Sequence, residues 1–370
     1  MTTLVGCTRF GFDPSSEQSV VDARHEGALD AGTLDGALDI ALDIAWDVAL
    51  PDAKAAKPVA IHFGGTARES LGSLHLGVGG DIYVAGSTTG DFTIGSSTST
   101  GLLGALSGYT ARITPAGEIV WSVLYQSSNF LDLWGIGSDG SGGVFVAGYV
   151  HGTTDFGGVV GSVTTGSRQE VFVLFADSSE GVATSLQRYS GASNFQLRDL
   201  AMGDGEFVIS GFYADNVATA FGAVSLPANG RVDQAFLLRM DTTGVEQAAY
   251  RVDTDRIADG TTVTLRQSGG LCLGGRFAGN ADFDGDSITD ATFKGGYGDA
   301  FVVALRADGS TQWFRTFGTA ADDQVNDLVA VGDDCVAVGH LGGAVTLPSG
   351  QTLGGAGGLD GFAMRLAAAD

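Results

Sequence analysis

A short phrase ending in glycine recurs five times along the chain and constrains the fold more than any other feature. The copies are IYVAGS, VFVAGY, FVISGF, LCLGGR and CVAVGH, with closing glycines Gly86, Gly148, Gly211, Gly275 and Gly339. Successive glycines are 62 to 64 residues apart. A constant interval with several short apolar runs per unit, and no 3.6-residue periodicity, predicts repeated β-sheet units rather than a helical array.

The two ends of the repeat predict how the units are arranged. Each unit carries a second apolar run after the phrase, and the fourth unit ends in a further strand, TQWFRTFGTAADD. The fifth unit stops before that strand, whereas PVAIHFGGTARES at residues 58–70 matches it ahead of the first unit. We therefore expect an all-β, five-bladed β-propeller with four antiparallel strands per blade, in which residues 58–70 close the last blade. The alternative is an open β-solenoid with ragged ends.

Composition excludes several classes of partner. The chain has 370 residues, including 59 glycines and six prolines, and its net charge is −24. So acidic a protein is repelled by nucleic-acid phosphates and by anionic lipid headgroups. We expect a monomer that binds no nucleic acid and meets a membrane only through a lipid anchor.

The N-terminal residues predict such an anchor. The sequence Leu4-Val5-Gly6-Cys7 matches a bacterial lipobox, in which the cysteine is lipidated, and this expectation assumes that translation starts upstream. Residues 1–7 are then the remnant of a lipoprotein signal. Residues 8–57 form an acidic spacer rich in Ala and Asp, either flexible or partly helical, and residues 58–370 form the propeller. Cys272 and Cys335 are expected to be buried, small apolar residues, because equivalent strands of adjacent blades are usually too far apart for a disulfide. The alternative is a disulfide between them in an oxidising compartment.

The repeat units resemble a known family. GGDIYVAGSTTGDF and GSGGVFVAGYVHGTTDFGG resemble the bacterial β-propeller repeat of the SBBP type, which occurs in surface lipoproteins, notably of myxobacteria. The resemblance covers residues 58–370. It implies a propeller and an outer-membrane lipoprotein of the cell envelope, periplasmic or surface-exposed, and it implies little about function.

Candidate functional residues follow the phrase glycines. Side chains at equivalent places in each unit should lie on one face of the ring, and they vary where the preceding residues are uniform. The predicted ligand-binding residues are Ser87, Tyr149, His151, Phe212, Tyr213, Arg276 and His340. The alternative is that these residues only begin long loops. No catalytic motif is present, so we expect a non-enzymatic module that binds a protein or a glycan. The alternative is a lyase or glycan hydrolase using carboxylates at the central channel, drawn from Asp132, Asp199, Asp259 and Asp327.

One acidic segment predicts a cation site. In ADFDGDSITDATF, the carboxylates of Asp282, Asp284, Asp286 and Asp290 lie within nine residues, and Gly285 permits a tight turn. Calcium binds several hard oxygen ligands from one short loop, and this spacing is similar to DxDxD calcium loops. Calcium is the only cofactor that the sequence suggests. The alternative is an ordinary acidic surface loop.

Overall fold

The computed structural model describes residues 60–65, 68–94, 97–99, 105–166, 168–189, 194–203, 205–215, 218–222, 224–230, 232–347, 350–355 and 358–367. From Ile61 onward these residues belong to one compact unit. Cys7 and the predicted spacer at 8–57 lie outside the described residues.

The described residues contain β-strands and no helix, and therefore no helix long and apolar enough to cross a membrane. The strands of the N-terminal half are β1 (Phe63–Gly65), β2 (Glu69–Leu76), β3 (Ile82–Thr88), β4 (Phe92–Ile94), β5 (Ser97–Ser99), β6 (Ser107–Ile113), β7 (Ile119–Ser127), β8 (Phe130–Ser138), β9 (Gly143–His151), β10 (Thr153–Asp155), β11 (Ser162–Thr164), β12 (Glu170–Asp177) and β13 (Ala183–Tyr189).

The strands of the C-terminal half are β14 (Asn194–Gly203), β15 (Glu206–Ala214), β16 (Thr219–Phe221), β17 (Val224–Leu226), β18 (Gln234–Asp241), β19 (Glu246–Arg251), β20 (Asp253–Thr254), β21 (Ile257–Leu265), β22 (Leu271–Ala278), β23 (Asn280–Asp282), β24 (Ala291–Thr292), β25 (Asp299–Leu305), β26 (Thr311–Phe317), β27 (Gln324–Val331), β28 (Asp334–Leu341), β29 (Val345–Thr346), β30 (Thr352–Leu353) and β31 (Asp360–Leu366).

Each repeat unit contributes one antiparallel sheet. Sheet one is β2-β3-β6-β7, with β10 and β11 added at its outer edge; sheet two is β8-β9-β12-β13; sheet three is β14-β15-β18-β19; sheet four is β21-β22-β25-β26; and sheet five is β27-β28-β31. The glycine that closes each copy of the repeated phrase, called here the phrase glycine, lies in the second strand of every sheet. The predicted all-β, antiparallel fold is confirmed, and four of the units form the four-stranded sheet that the repeat predicts.

The sheets pack face to face in chain order. In β12, Val171 and Val173 pack with residues of sheet three, whereas Phe172 and Leu174, which alternate with them, pack with residues of sheets one and two. Because both faces of the strand are buried, its sequence is a continuous apolar run instead of an alternating one. The first strands β2, β8, β14, β21 and β27 contact one another in that order. The described residues show no comparable contact between sheets five and one.

The predicted closing strand differs from the observed pairing. Phe63–Gly65 pairs with Phe92–Ile94, which lies in the connection between the second and third strands of sheet one. No described residue of 58–70 pairs with β31. Glu69 and Ser70, predicted as part of the closing strand, instead begin β2. The physical reason is that Phe63 lies 6.5 Å from the Phe92 ring and 6.2 Å from the Tyr109 ring, which places it against the apolar face of sheet one.

A disulfide between Cys272 and Cys335 joins sheets four and five, so the expectation of two unpaired cysteines was wrong. The cysteines lie in the second strands β22 and β28, and both are fully buried. The face-to-face packing of the two sheets brings their Cα atoms to 6.4 Å, which is within the span of a disulfide.

Candidate binding site

The first strand of every sheet contains a β-bulge at the same position. The register against the second strand shifts between Leu71 and Ser73, Leu133 and Gly135, Leu197 and Asp199, Gly260 and Thr262, and Val325 and Asp327. The extra residues are Gly72, Trp134, Arg198, Thr261 and Asn326. A bulge leaves one residue outside the ladder and redirects side chains locally. The repeat therefore places five redirected side-chain positions along adjacent first strands.

The bulge explains why the phrase ends in glycine. Each phrase glycine pairs with the residue just before the bulge. A Cβ atom at Gly148 would overlap the carbonyl oxygen of Asp132, and one at Gly211 would overlap that of Gln196. The other three phrase glycines face a first-strand carbonyl in the same way. Glycine is needed here for close backbone approach.

Asp132 is the centre of a hydrogen-bonded group at the junction of sheets one and two. Its Oδ1 accepts a 2.5 Å hydrogen bond from the Ser87 hydroxyl. Its Oδ2 accepts hydrogen bonds from Trp134 Nε1 at 2.8 Å and from the Tyr149 hydroxyl at 3.1 Å. Burial, reinforced by the Asp132 charge, raises the pKa of Tyr149, so the phenol remains a donor at neutral pH. Two residues that follow phrase glycines are thus joined through one carboxylate.

Arg198, the bulge residue of sheet three, connects this group to sheet four. Its guanidinium carbon lies 5.5 Å from the Trp134 ring and 5.1 Å from the Phe212 ring. Its Nε and Nη2 donate to the two carboxylate oxygens of Asp259 at 3.2 and 3.1 Å. A planar guanidinium suits both contacts, because it stacks on aromatic faces and pairs with a carboxylate through two hydrogen bonds. We call Ser87, Asp132, Trp134, Tyr149, Arg198, Phe212 and Asp259 the bulge cluster.

Arg276 and His340 continue the bulge cluster toward sheet five. Arg276 pairs in register with Asp259, and its Nε is buried without a hydrogen-bond partner. His340 Nδ1 lies 3.4 Å from Nδ2 of Asn326, the bulge residue of sheet five. Burial lowers the pKa of His340, assisted by the Arg276 charge and opposed by two nearby aspartates, which favours the neutral imidazole at neutral pH.

The remaining two predicted ligand-binding residues lie elsewhere. Tyr213 is fully buried, and its hydroxyl donates to the carbonyl oxygen of Pro227 at 3.0 Å. His151 contacts Asn129, with 2.9 Å between the ring and amide nitrogens. The structure thus brings Ser87, Tyr149 and Phe212 into one cluster with Arg276 and His340 at its edge, and their role in ligand binding stays a prediction.

Sequence reasoning missed Trp134 and Arg198, although a signal for them exists. Each lies 13 or 14 residues before a phrase glycine, as do the other three bulge residues. The type of residue at this position changes from unit to unit while the glycine does not. Without the hydrogen-bond register, that variation looks like ordinary strand sequence.

The first-strand aspartates have different roles. Asp199 Oδ2 accepts hydrogen bonds from the Thr262 hydroxyl and from the Val263 N–H, and so holds sheet four against sheet three. Asp327 Oδ1 accepts a hydrogen bond from the Leu328 N–H and lies 3.2 Å from the Thr262 hydroxyl, whose one proton it shares with Asp199. Both oxygens of Asp132 are also engaged. Each of these three carboxylates thus accepts hydrogen bonds from neighbouring side chains or backbone N–H groups.

The predicted calcium residues come partly together. Ligand oxygens of Asp282, Asp284 and Asp290 lie within 4.8 Å of one another, and Asp286 is not in this group. The loop's own backbone already uses these carboxylates, because Asp282 accepts the N–H groups of Gly285 and Ser287 at 2.7 and 2.8 Å. Such bonds stabilise an acidic surface loop without a cation. Calcium binding stays a prediction.

No family model and no curated protein matches the chain. Among solved structures, the chain is similar to a catalytically inactive variant of virginiamycin B lyase from Staphylococcus aureus with quinupristin. The two sequences are 10% identical, the TM-score is 0.29, and the match covers 76% of this chain and 96% of that chain.

Proposed function

We propose that the protein is a cell-envelope-anchored binding module in which the five sheets are the blades of a closed β-propeller. The pairing of β1 supports the closure. In sheet one, the end of the outer strand β7 pairs with β10. Strand β10 lies in the connection between the second and third strands of sheet two. Strand β1 pairs in the same way with β4 of sheet one. Strand β1 therefore has the pairing expected of the outer strand of a blade that precedes sheet one. In a closed ring, the blade that precedes sheet one is sheet five.

Amide hydrogen exchange tests the closure. If residues preceding Phe63 pair with β31, alternate amides of Asp360–Leu366 that face away from β28 should be strongly protected, like the amides of β25 in sheet four. Free exchange of these amides, with the remaining β31 amides protected, would show that sheet five has an open edge.

The proposed ligand is a protein or a glycan, and its binding surface is the bulge cluster. The observation that carries this proposal is the linkage of aromatic, cationic and anionic side chains from three successive bulged strands through Asp132 and Arg198. Trp134, Arg198 and Asp132 are half-buried, so each also presents surface to solvent. Aromatic and arginine side chains held rigidly by their neighbours are typical of recognition surfaces, because little rotamer entropy is lost on binding.

Substitutions in the cluster test the proposal once a glycan array or an envelope extract has supplied a ligand. Trp134→Ala and Arg198→Gln should each weaken binding at least about tenfold, roughly 1.4 kcal/mol, because each removes a preorganised contact. Arg365→Gln is the matched control, since its ion pair with Asp334 lies outside the cluster. Affinities measured by calorimetry that are equal for all four proteins would place the binding surface elsewhere.

The proposed location is the cell envelope, as an outer-membrane lipoprotein anchored through Cys7. The Cys272–Cys335 disulfide supports an oxidising compartment, because cytosolic thiols are kept reduced. Mass spectrometry of the protein extracted from membranes of its native host should find an acylated Cys7 at the mature N-terminus. A protein that fractionates with the cytosol and carries an unmodified Cys7 would contradict this location.

A further inference from the structure

A cavity lies near the turns of sheets four and five, at the strand ends opposite to those that carry the bulge cluster. Its volume is about 300 Å³. The lining residues are Arg266, Ser268, Arg306, Ala307, Gln312 and Asp333. Arg266 follows β21, whose other end carries Asp259 of the bulge cluster. The cavity is therefore a separate site.

Arg266 is a buried cation whose hydrogen bonds go to neutral acceptors. Its side chain belongs to a residue that is only 6% exposed. Nη2 donates to the Leu305 carbonyl oxygen at 2.6 Å and to Gln312 Oε1 at 2.8 Å, and Nη1 donates to the Asp333 carbonyl oxygen at 3.2 Å. The Nε–H is buried and has no hydrogen-bond partner among the described residues. Burial lowers the pKa of this guanidinium; the Asp333 and Asp334 charges oppose the shift, and the nearby Arg306 charge adds to it.

Arg306 brings a second positive charge to the cavity. Its Nη1 donates to the Ser310 hydroxyl at 3.2 Å and to the Thr311 carbonyl oxygen at 2.7 Å, which are again neutral acceptors. The only carboxylate of the lining, Asp333, accepts the Ser268 N–H at 2.8 Å. Within the described part of the chain, it forms no ion pair with either arginine.

The local turn does not require an arginine at position 306. The corresponding residues of sheets two and three are Asp177 and Asp241, whose carboxylates accept N–H groups of their own turns. In sheet four Asp308 has taken this role and accepts the Ser310 N–H at 2.9 Å. Arg306 therefore adds a cation, with hydrogen bonds to Ser310 and Thr311, to a turn in which Asp308 already accepts an N–H group. It does so beside a cation that is already buried.

We propose that this cavity binds a small oxyanion, a carboxylate or phosphate group, between the guanidinium groups of Arg266 and Arg306. Burying a charge is costly, and an anion would add negative charge to a cavity whose lining holds two guanidinium groups and one carboxylate. Guanidinium groups match the planar carboxylate and the phosphate through paired hydrogen bonds. Neither arginine forms an ion pair within 4.0 Å among the described residues, although carboxylates are abundant in a chain with a net charge of −24.

Thermal unfolding of the full chain in inorganic phosphate or malonate, compared with sodium chloride at equal ionic strength, tests the proposal. Phosphate or malonate should raise the melting temperature saturably, and chloride should not. Arg306→Gln should weaken the apparent affinity at least tenfold. Arg266→Lys, which keeps the charge but loses the planar guanidinium, should also weaken it. Arg188→Gln is the charge-matched control, because Arg188 pairs with Glu170 away from the cavity.

Two outcomes overturn the proposal. One is the absence of a saturable effect of either anion beyond that of chloride. The other is an equal effect on the parent protein and on Arg306→Gln. Arg306 is exposed and does not fill the core, so Arg306→Gln should fold. It therefore tests anion binding even if Arg266→Lys does not fold. Both readouts are independent of ligand binding at the bulge cluster.

Discussion

Reduction of the Cys272–Cys335 disulfide should lower the free energy of unfolding by about 4 kcal/mol. The two cysteines are 63 residues apart in sequence, and the chain-entropy estimate for a closed loop of that length is about 4 kcal/mol at 25 °C. The bond joins the second strands of sheets four and five, so the loss should appear first as opening of sheet five. Urea unfolding with and without a phosphine reductant measures the difference.

A double variant separates the cross-link from the packing of the two sulfur atoms. Both cysteines are fully buried, so Cys272→Ala with Cys335→Ala also removes buried volume. The reductant should destabilise the parent protein and leave the double variant unchanged. If the parent unfolds at the same urea concentration in both conditions, the disulfide does not contribute to stability.

The sheets were predictable from the sequence because the information for them is local and repeated. Runs such as VFVLF at Val171 are apolar at every position, which predicts strands buried on both faces, and the phrase glycines fix their spacing. The disulfide was not predictable in this way. Its formation depends on the distance between strands of neighbouring sheets, and nothing within one unit encodes that distance.

The candidate site was predictable only in outline. The residues after the phrase glycines were expected on one face, and Ser87, Tyr149 and Phe212 do belong to the bulge cluster. Tyr213, however, is the next residue along β15, and because successive strand side chains alternate between faces it lies in the core. Trp134 and Arg198 depend on a one-residue register shift, which arises from hydrogen bonds between strands rather than from residue type.

Gly148→Ala should destabilise the protein by about 3 kcal/mol, the upper end of what overpacking a well-packed interior costs. The three atoms that an added Cβ would meet are the Asp132 oxygen, the Asp132 carbonyl carbon and the Leu133 Cα, all of them backbone atoms. No side chain can rotate away to make room. Relief requires that the first strand of sheet two move away from the second, and the bulge is lost or displaced as it does so.

Gly166→Ala is the matched control, because a Cβ atom there meets nothing within 4 Å. It should leave stability unchanged within about 0.5 kcal/mol, as is usual for exposed positions. Equal urea midpoints for Gly148→Ala and the parent protein would mean that the bulge can accommodate a Cβ atom without loss of stability, so that glycine is not needed there.

The same substitution links the fold to the proposed site. Gly148 constrains the backbone of Asp132, and the Asp132 carboxylate joins Ser87, Trp134 and Tyr149. Displacement of this backbone should therefore weaken ligand binding in whatever fraction of Gly148→Ala remains folded, whereas Gly166→Ala should bind as the parent does. A folded Gly148→Ala protein with unchanged affinity would show that ligand binding does not depend on the bulge. The phrase glycine would then serve only the sheet.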